Sequence, residues 1–180
     1  CSAGGRAVGL SGKDDRFILA DKINLTREKN GGPPEIIDPG RVGEPRKVSP
    51  QVVEDLVRGG FIPVIAPIGV DESGRALNIN ADTVAGKVAE ALRAEKLMRL
   101  TDVEGVRGPV GALIASLDSA RAEDLIGKGV IEGGMIPKVR CALDALAGGV
   151  QKVHIIDGRM RHAVMLEIFT DRGIGTEIVS

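Results

Sequence analysis

Glu132-Gly133-Gly134-Met135-Ile136-Pro137-Lys138 places two glycines ahead of a helical pattern whose first turn carries a proline and then a lysine. A helix N-terminus presents N–H groups without intrahelical partners and the positive end of the backbone dipole, so this neighbourhood favours phosphate. Lys138 is mismatched with that dipole, and an anion held between the two relieves the mismatch. A glycine turn followed by a solvated lysine is the plainer reading of the same residues. Asn78-Ile79-Asn80-Ala81-Asp82 sets three short polar side chains at alternate positions just before a helix. In an extended segment all three point the same way, toward a polar ligand, although Asn80 or Asp82 would equally serve as a helix cap. Leu100-Thr101-Asp102-Val103-Glu104-Gly105-Val106 ends an apolar run on a carboxylate. Parallel α/β sheets place ligand contacts at such strand ends, while Asp and Gly also serve ordinary turns.

Several familiar site types are missing. Gly9-Leu10-Ser11-Gly12-Lys13-Asp14 is not a GxxxxGK[ST] phosphate loop, because its first glycine is too close and Asp14 replaces the hydroxyl residue. Gly173-Ile174-Gly175 lacks the third glycine of a dinucleotide fingerprint. His154 and His162 have no Cys or His at metal-ligand spacing, so no metal site is expected, and there is no nucleophile elbow. Cys1 and Cys141 are the only cysteines, and Cys141 falls in an apolar helical pattern, which suits a reducing compartment and assigns them no chemistry.

The elements that must position these groups follow from hydrophobic periodicity. Strands are expected at Ala7 to Leu10, Arg16 to Leu25, Glu35 to Asp38, Phe61 to Ala66, Lys96 to Val103, Lys152 to Asp157 and Thr176 to Val179. Residues 16 to 38 read as an exposed hairpin broken by a turn-rich stretch from Glu28 to Pro34. Phe61 to Ala66 reads as a strand buried on both faces. Helices are expected from Ser49, with Pro50 at the first helical position, to Gly59-Gly60, and over Ala81 to Glu95, Ser119 to Lys128, Met135 to Ala147 and His162 to Thr170. This alternation predicts an α/β domain with a largely parallel sheet covered on both faces.

At 180 residues the length prior favours one domain. Lys+Arg total 24 against 25 Asp+Glu, for a net charge of −1, so no global positive field attracts nucleic acid or an anionic membrane. With no Trp or Tyr and three Phe, the chain also lacks platforms for stacking bases. No apolar run is long enough to span a bilayer and no signal peptide opens the chain, which makes a cytoplasmic location the expectation. Because the chain opens on Cys1 and Arg6 to Leu10 reads like an interior strand, a fragment or trimmed chain is expected.

Taken in order, Asn78 to Asp82, Leu100 to Val106 and Gly133 to Lys138 resemble the signature of the N-acetylglutamate kinases. Gly9 to Asp14, Val42-Gly43-Glu44-Pro45, Phe61 to Ile65 and His162 to Thr176 are also similar to that family, so the likeness covers essentially the whole chain. It implies the amino acid kinase (carbamate kinase-like) fold, a three-layer α/β sandwich with a mainly parallel sheet. Residues 1–180 would be its C-terminal, ATP-binding part, with the N-terminal half and its substrate loop missing.

The activity implied is transfer of the ATP γ-phosphoryl group, with Mg²⁺, to the side-chain carboxylate of N-acetyl-L-glutamate in arginine biosynthesis, the fragment alone being inactive. By resemblance Asn78 and Asn80 contact the acyl amino acid, Asp82 organises catalytic lysines, and Lys138 stabilises the transferring group. Thr101, Asp102, Val103, Glu104, Gly105, Val106, Arg107, Val130, Ile131, Glu132 and Gly134 match nucleotide-contacting segments. His162, Glu167, Gly173 and Gly175 resemble the L-arginine site of feedback-inhibited members, for which Glu167 offers a carboxylate to a guanidinium or amino group. The family assembles as homo-oligomers. Arg99 departs from it, in a stretch usually apolar. Two other readings stay open: a kinase of the aminoadipate branch of lysine synthesis, and a non-catalytic nucleotide-binding regulatory module.

Overall fold

Side-chain alternation in Ile18–Lys22 places Ile18 and Ala20 in a core while Asp21 and Lys22 face solvent. That strand organises the first of two compact units in the computed structural model, which describes residues 2–27, 35–170 and 173–180. The units are Cys1–Leu92 and Arg93–Ser180.

In the first unit β1 (Ala7–Leu10), β2 (Ile18–Lys22), β3 (Leu25–Arg27), β4 (Glu35–Ile37), β5 (Gly43–Val48), helix α1 (Gln51–Arg58), β6 (Ile62–Ile65), β7 (Ile68–Val70), β8 (Ala76–Asn78) and α2 (Ala81–Ala91) follow one another. One sheet runs β5-β2-β7-β8 and another pairs β1 with β6 in parallel. The charged edge strand β5 accommodates Pro45 where the β2 register shifts between Leu19 and Ala20, a place where a missing N–H costs no ladder bond. Phe17, Ile18, Val53, Leu77, Ile79 and Val84 pack into one core.

Three expectations change here. The exposed hairpin is β3–β4, with Leu25, Ile36 and Ile37 outside, whereas residues 18–22 join the main sheet between β5 and β7, because Ile18 and Ala20 supply a buried face. The expected turn from Glu28 to Pro34 lies outside the described residues. Ser49 does not cap α1: its N–H donates to the Phe17 carbonyl, tying it to the sheet, and Pro50 takes the cap position. Phe61 to Ala66 is not buried on both faces. β6 has β1 as its strand partner and packs against α1, so Ile62 and Val64, each 57% exposed, point outward.

In the second unit β9 (Lys96–Thr101), β10 (Ser116–Asp118), α3 (Ser119–Gly127), α4 (Met135–Ala147), β11 (Lys152–Asp157), α5 (Ala163–Phe169) and β12 (Thr176–Val179) build a sheet in the order β10-β12-β11-β9. β9 and β11 are parallel, as are β10 and β12, while β12 runs antiparallel to β11. The α/β class is as expected, and two of the three pairings in this sheet are parallel, the pairing of β12 with β11 being the antiparallel one. Val153 through Ile156 of β11 are all buried, as a strand covered on both faces requires. Among the described residues no helix is long and apolar enough to cross a membrane.

Gly12 shows how tightly the first unit closes. Its N–H donates to the Ile68 carbonyl at 2.7 Å, and an added Cβ would meet that oxygen, with Gly69 Cα and Ile18 Cβ each at 2.8 Å. Relief requires backbone movement, so Gly12→Ala is expected to destabilise the protein by about 2 kcal/mol. Urea denaturation measures this, and an unchanged midpoint would contradict it.

Candidate functional site

The C-terminal end of β9 is shaped by Thr101. Its hydroxyl donates to the Val103 carbonyl at 2.9 Å and accepts the Val103 N–H at 3.2 Å, turning the chain as it leaves the sheet. The turn then passes through Gly105, whose Cα lies against Thr176, such that a Cβ would stand 2.5 Å from Thr176 Oγ1. Thr176, fully buried at the start of β12, accepts the Val106 N–H at 2.8 Å and donates to the Ile114 carbonyl at 2.7 Å. Both ends of the excursion from 106 to 114 therefore close on one hydroxyl.

This folding opens a cavity of about 190 Å³ lined by Val103, Gly105, Val106, Arg107, Val130, Ile131, Glu132 and Met135. Seven of the residues expected at a nucleotide are thus brought together, and Met135 joins them. The other four have different work. Thr101 braces the turn, Asp102 pairs with Lys138, Glu104 pairs with Arg107 at 2.9 Å, and Gly134 caps α4. The lining is mostly apolar with a carboxylate and a guanidinium, the balance found in small-molecule pockets.

Lys138 stands in the first turn of α4, the helix that opens with Met135. Its Nζ is 3.4 Å from Asp102 Oδ1, with the lysine side chain 26% exposed and the aspartate 77%. Gly133, at φ +54°, adopts a left-handed conformation that leads into the helix. At the neighbouring strand end Arg159 donates to both carboxylate oxygens of Asp157, at 2.9 and 2.8 Å, and holds that carboxyl down at about 2. Arg159 is itself raised, first by Asp157 and also by the charges of Asp102 and Glu104, so it belongs to the same field.

In the first unit the alternation is real as far as Asn80. Asn78 and Asn80 are exposed, with Leu77 and Ile79 buried between them. Asn80 then caps α2, its Oδ1 accepting the N–H groups of Asp82 at 2.9 Å and Thr83 at 3.1 Å. Asp82 therefore lies in the first helical turn rather than on the extended run, since α2 begins at Ala81.

The last group centres on Glu167. Its carboxylate meets His154 Nδ1 at 2.6 Å and accepts the Ile174 N–H at 2.6 Å, with the side chain 5% exposed. Burial pushes its pKa up, but the hydrogen bonds from Ile174, His154 and Gly175 outweigh that and hold it below the ordinary 4.5. Gly173 packs on the carboxylate, since a Cβ there would stand 2.7 Å from Oε2, and Gly175 abuts the Ile155 carbonyl. Glu167, Gly173 and Gly175 are thus one assembly, while His162 lies exposed at the cap of α5, its Nε2 accepting from Arg161 Nε at 3.1 Å.

Arg159 and His154 carry none of the sequence expectations for the site, and Thr176 entered them only as the end of the segment His162 to Thr176. A hydroxyl at a strand start and an Asp-Gly-Arg turn after a strand were visible, but nothing local tied them to residues some 50 to 70 positions away.

Residues 1–157 match the amino acid kinase family. The chain is 56% identical over 178 residues to an acetylglutamate kinase of Syntrophus aciditrophicus, covering 98% of this chain and 60% of that protein. It is 58% identical to one of Alkalilimnicola ehrlichii, covering 98% and 59%. It therefore spans about 60% of the length of these curated relatives. Among solved structures, N-acetylglutamate synthase from Neisseria gonorrhoeae complexed with coenzyme A and L-arginine superposes with a TM-score of 0.80 at 28% identity, over 97% of this chain and 38% of that one.

Thr176→Val keeps the side-chain shape and removes the hydroxyl, so the Val106 N–H is left without its acceptor; a loss of about 1–3 kcal/mol in urea denaturation is expected. Glu167 adds an acid limb. Because its folded pKa is depressed, its contribution is present above about 4.5 and lost as pH falls through the lower folded value. Stability measured from pH 6 down to pH 3 is expected to fall less steeply in Glu167→Gln than in the parent. Parallel curves would remove Glu167 from the acid response.

Proposed function

The chain belongs to the amino acid kinase family, and from that membership we propose that it forms the nucleotide side of an enzyme phosphorylating the side-chain carboxylate of N-acetyl-L-glutamate with ATP, a step of arginine biosynthesis. The observation that carries this reading is the convergence of seven separate residues on one cavity beside the helix whose first turn bears Lys138. The high identity to acetylglutamate kinases supports the choice of acceptor over an aminoadipate derivative. It also weighs against a non-catalytic regulatory module.

Phosphoryl transfer demands positioning and charge neutralisation more than covalent chemistry. Base and ribose occupy the largely apolar cavity, where Glu132 and Arg107 supply the polar contacts. The phosphates extend to the start of α4, where the glycine turn at Gly133 and Gly134, the positive end of the helix dipole and the Lys138 ammonium meet them. Lys138 exchanges Asp102 for the transferring group as negative charge spreads over its oxygens. Among the described residues no three or more His, Cys, Asp or Glu side chains are arranged around a metal. Mg²⁺ would be held chiefly by the ATP phosphates and would supply further neutralisation of their charge. Asn78 and Asn80 face the acyl amino acid and Asp82 orders the catalytic lysines. The protein works as a cytoplasmic homo-oligomer.

L-Arginine is the proposed feedback ligand, with its site at His162, Glu167, Gly173 and Gly175. The arginine-bound synthase from Neisseria gonorrhoeae supports this. The closed Glu167–Ile174 turn gives a form the ligand must open, since the carboxylate it would use already accepts a backbone N–H.

Coupled ADP release by the protein expressed from its complete coding region tests the reading. Turnover is expected with N-acetylglutamate and not with the aminoadipate analogue, and the reverse would overturn the acceptor. Lys138→Ala is expected to lower kcat by about two to three orders of magnitude with little change in the KM for ATP. Asp82→Asn should also lower kcat. Arginine should inhibit the parent and not Glu167→Gln, with uninhibited kcat retained; equal inhibition of both would remove the site.

A further inference from the structure

Arg99 is the one charged residue between Lys96 and Thr101 in β9, and its side chain is turned inward, leaving the residue 5% exposed. Its Nη1 donates to the backbone carbonyl of Lys138 at 2.7 Å. Three residues further along, Asp102 Oδ1 is 3.4 Å from the ammonium of the same lysine. One strand therefore holds Lys138 at two points, by its backbone from within the fold and by its charged tip at the surface.

Burying a guanidinium is expensive, and an apolar side chain of similar volume at such a position is commonly neutral or stabilising. Packing alone thus gives no reason for arginine in this stretch. Its bond to the Lys138 carbonyl falls on the first turn of α4, the part of the helix that would carry the lysine to the phosphate. A hydrogen bond from a permanently charged, planar donor is short and directional, and so fixes the turn in rotation as well as in depth.

We propose that Arg99 is a positioning residue for phosphoryl transfer, acting through Lys138 by anchoring the first turn of α4 to β9. The inference rests on the kinase reading for its activity arm. With the turn released, Lys138 still binds ATP but meets the transferring group less well aligned. A misplacement near 1 Å can cost on the order of 100-fold in rate, so the effect appears in kcat.

The test uses Arg99→Met, Arg99→Lys, Lys138→Ala and the double variant of Arg99→Met with Lys138→Ala. Arg99→Met is expected to lower kcat about tenfold or more while leaving the KM for ATP within about threefold, and to keep or raise the melting temperature. Arg99→Lys should recover part of kcat. The double variant should be no slower than Lys138→Ala alone, because a group acting through Lys138 has nothing left to position. An unchanged kcat in Arg99→Met overturns the proposal, as does a loss that multiplies in full on Lys138→Ala, or a fall in kcat matched by a fall in stability. Should the parent show no turnover, the kinase reading fails separately, and amide exchange decides the anchoring: faster exchange in the first turn of α4 in Arg99→Met supports it, and unchanged exchange overturns it.

Discussion

A single buried hydroxyl decides the form of the second unit. Thr176 accepts from Val106 and donates to Ile114, and so closes both ends of the loop that follows β9 onto the first residue of β12. The hydroxyl is fully buried, so each of these bonds is made without competition from water. Two consequences follow for neighbouring positions. Gly105 must be glycine because Thr176 stands where its Cβ would go, and Val106 must turn inward, which leaves Arg107 at the cavity edge to meet Glu104. The cavity wall is therefore a product of how β12 inserts between β10 and β11. A strand run antiparallel to β11 brings its N-terminal residue to the end of the sheet where β9 and β11 finish, and this lets a residue near the C-terminus brace a loop 70 positions earlier.

Legibility in the sequence followed the range of the interactions involved. Met135–Ala147, Lys152–Asp157 and Thr176–Val179 have the bounds that their periodicity predicts, because each is fixed by a continuous buried stripe or run. The segments that line the cavity could be picked out because their residues are local in sequence and keep the order of a known family. Ser49 misled because a serine before a proline is a local capping signal, yet its backbone is held against Phe17, just ahead of β2, and the cap falls one residue later, on Pro50. Ile62 and Val64 misled for a similar reason: an apolar run says nothing of how many layers cover it. Asn80 caps α2 and lies beside Asn78 on the exposed side. The bracing threonine and the His154–Glu167 pair had no local signal, since they exist only once β11, α5 and β12 have assembled.

Around Glu167 the same logic of closure produces a different material. A carboxylate 5% exposed, met by an imidazole and a backbone N–H, is held far more firmly than any surface pair. Gly173 lies so near it that no side chain fits. Glu167 near the end of α5 is thus tied to Gly173 and Ile174, so a change at the carboxylate acts on the backbone of those residues. That coupling is what a regulatory ligand at this point would exploit, because binding energy spent on the carboxylate becomes displacement of the chain entering β12.

The cations at the ends of β9 and β11 each come with a carboxylate: Asp102 with Lys138, Glu104 with Arg107, Asp157 with Arg159. Three positive groups gathered without counter-charges would repel one another in the ligand-free protein, and the pairs remove that penalty. They differ in how easily they part. Asp157 makes two short hydrogen bonds to Arg159 and is 13% exposed, so that pair is a fixed dipole. Asp102 is mostly in water and lies 3.4 Å from Lys138, the geometry of a pair worth no more than about 1 kcal/mol. A polyphosphate offers Lys138 several oxygens of higher charge and loses little in displacing one exposed carboxylate. Under the proposed kinase reading the weak pair would keep the lysine oriented between ligands while leaving it available, whereas its backbone is tied to β9 by the bond from Arg99.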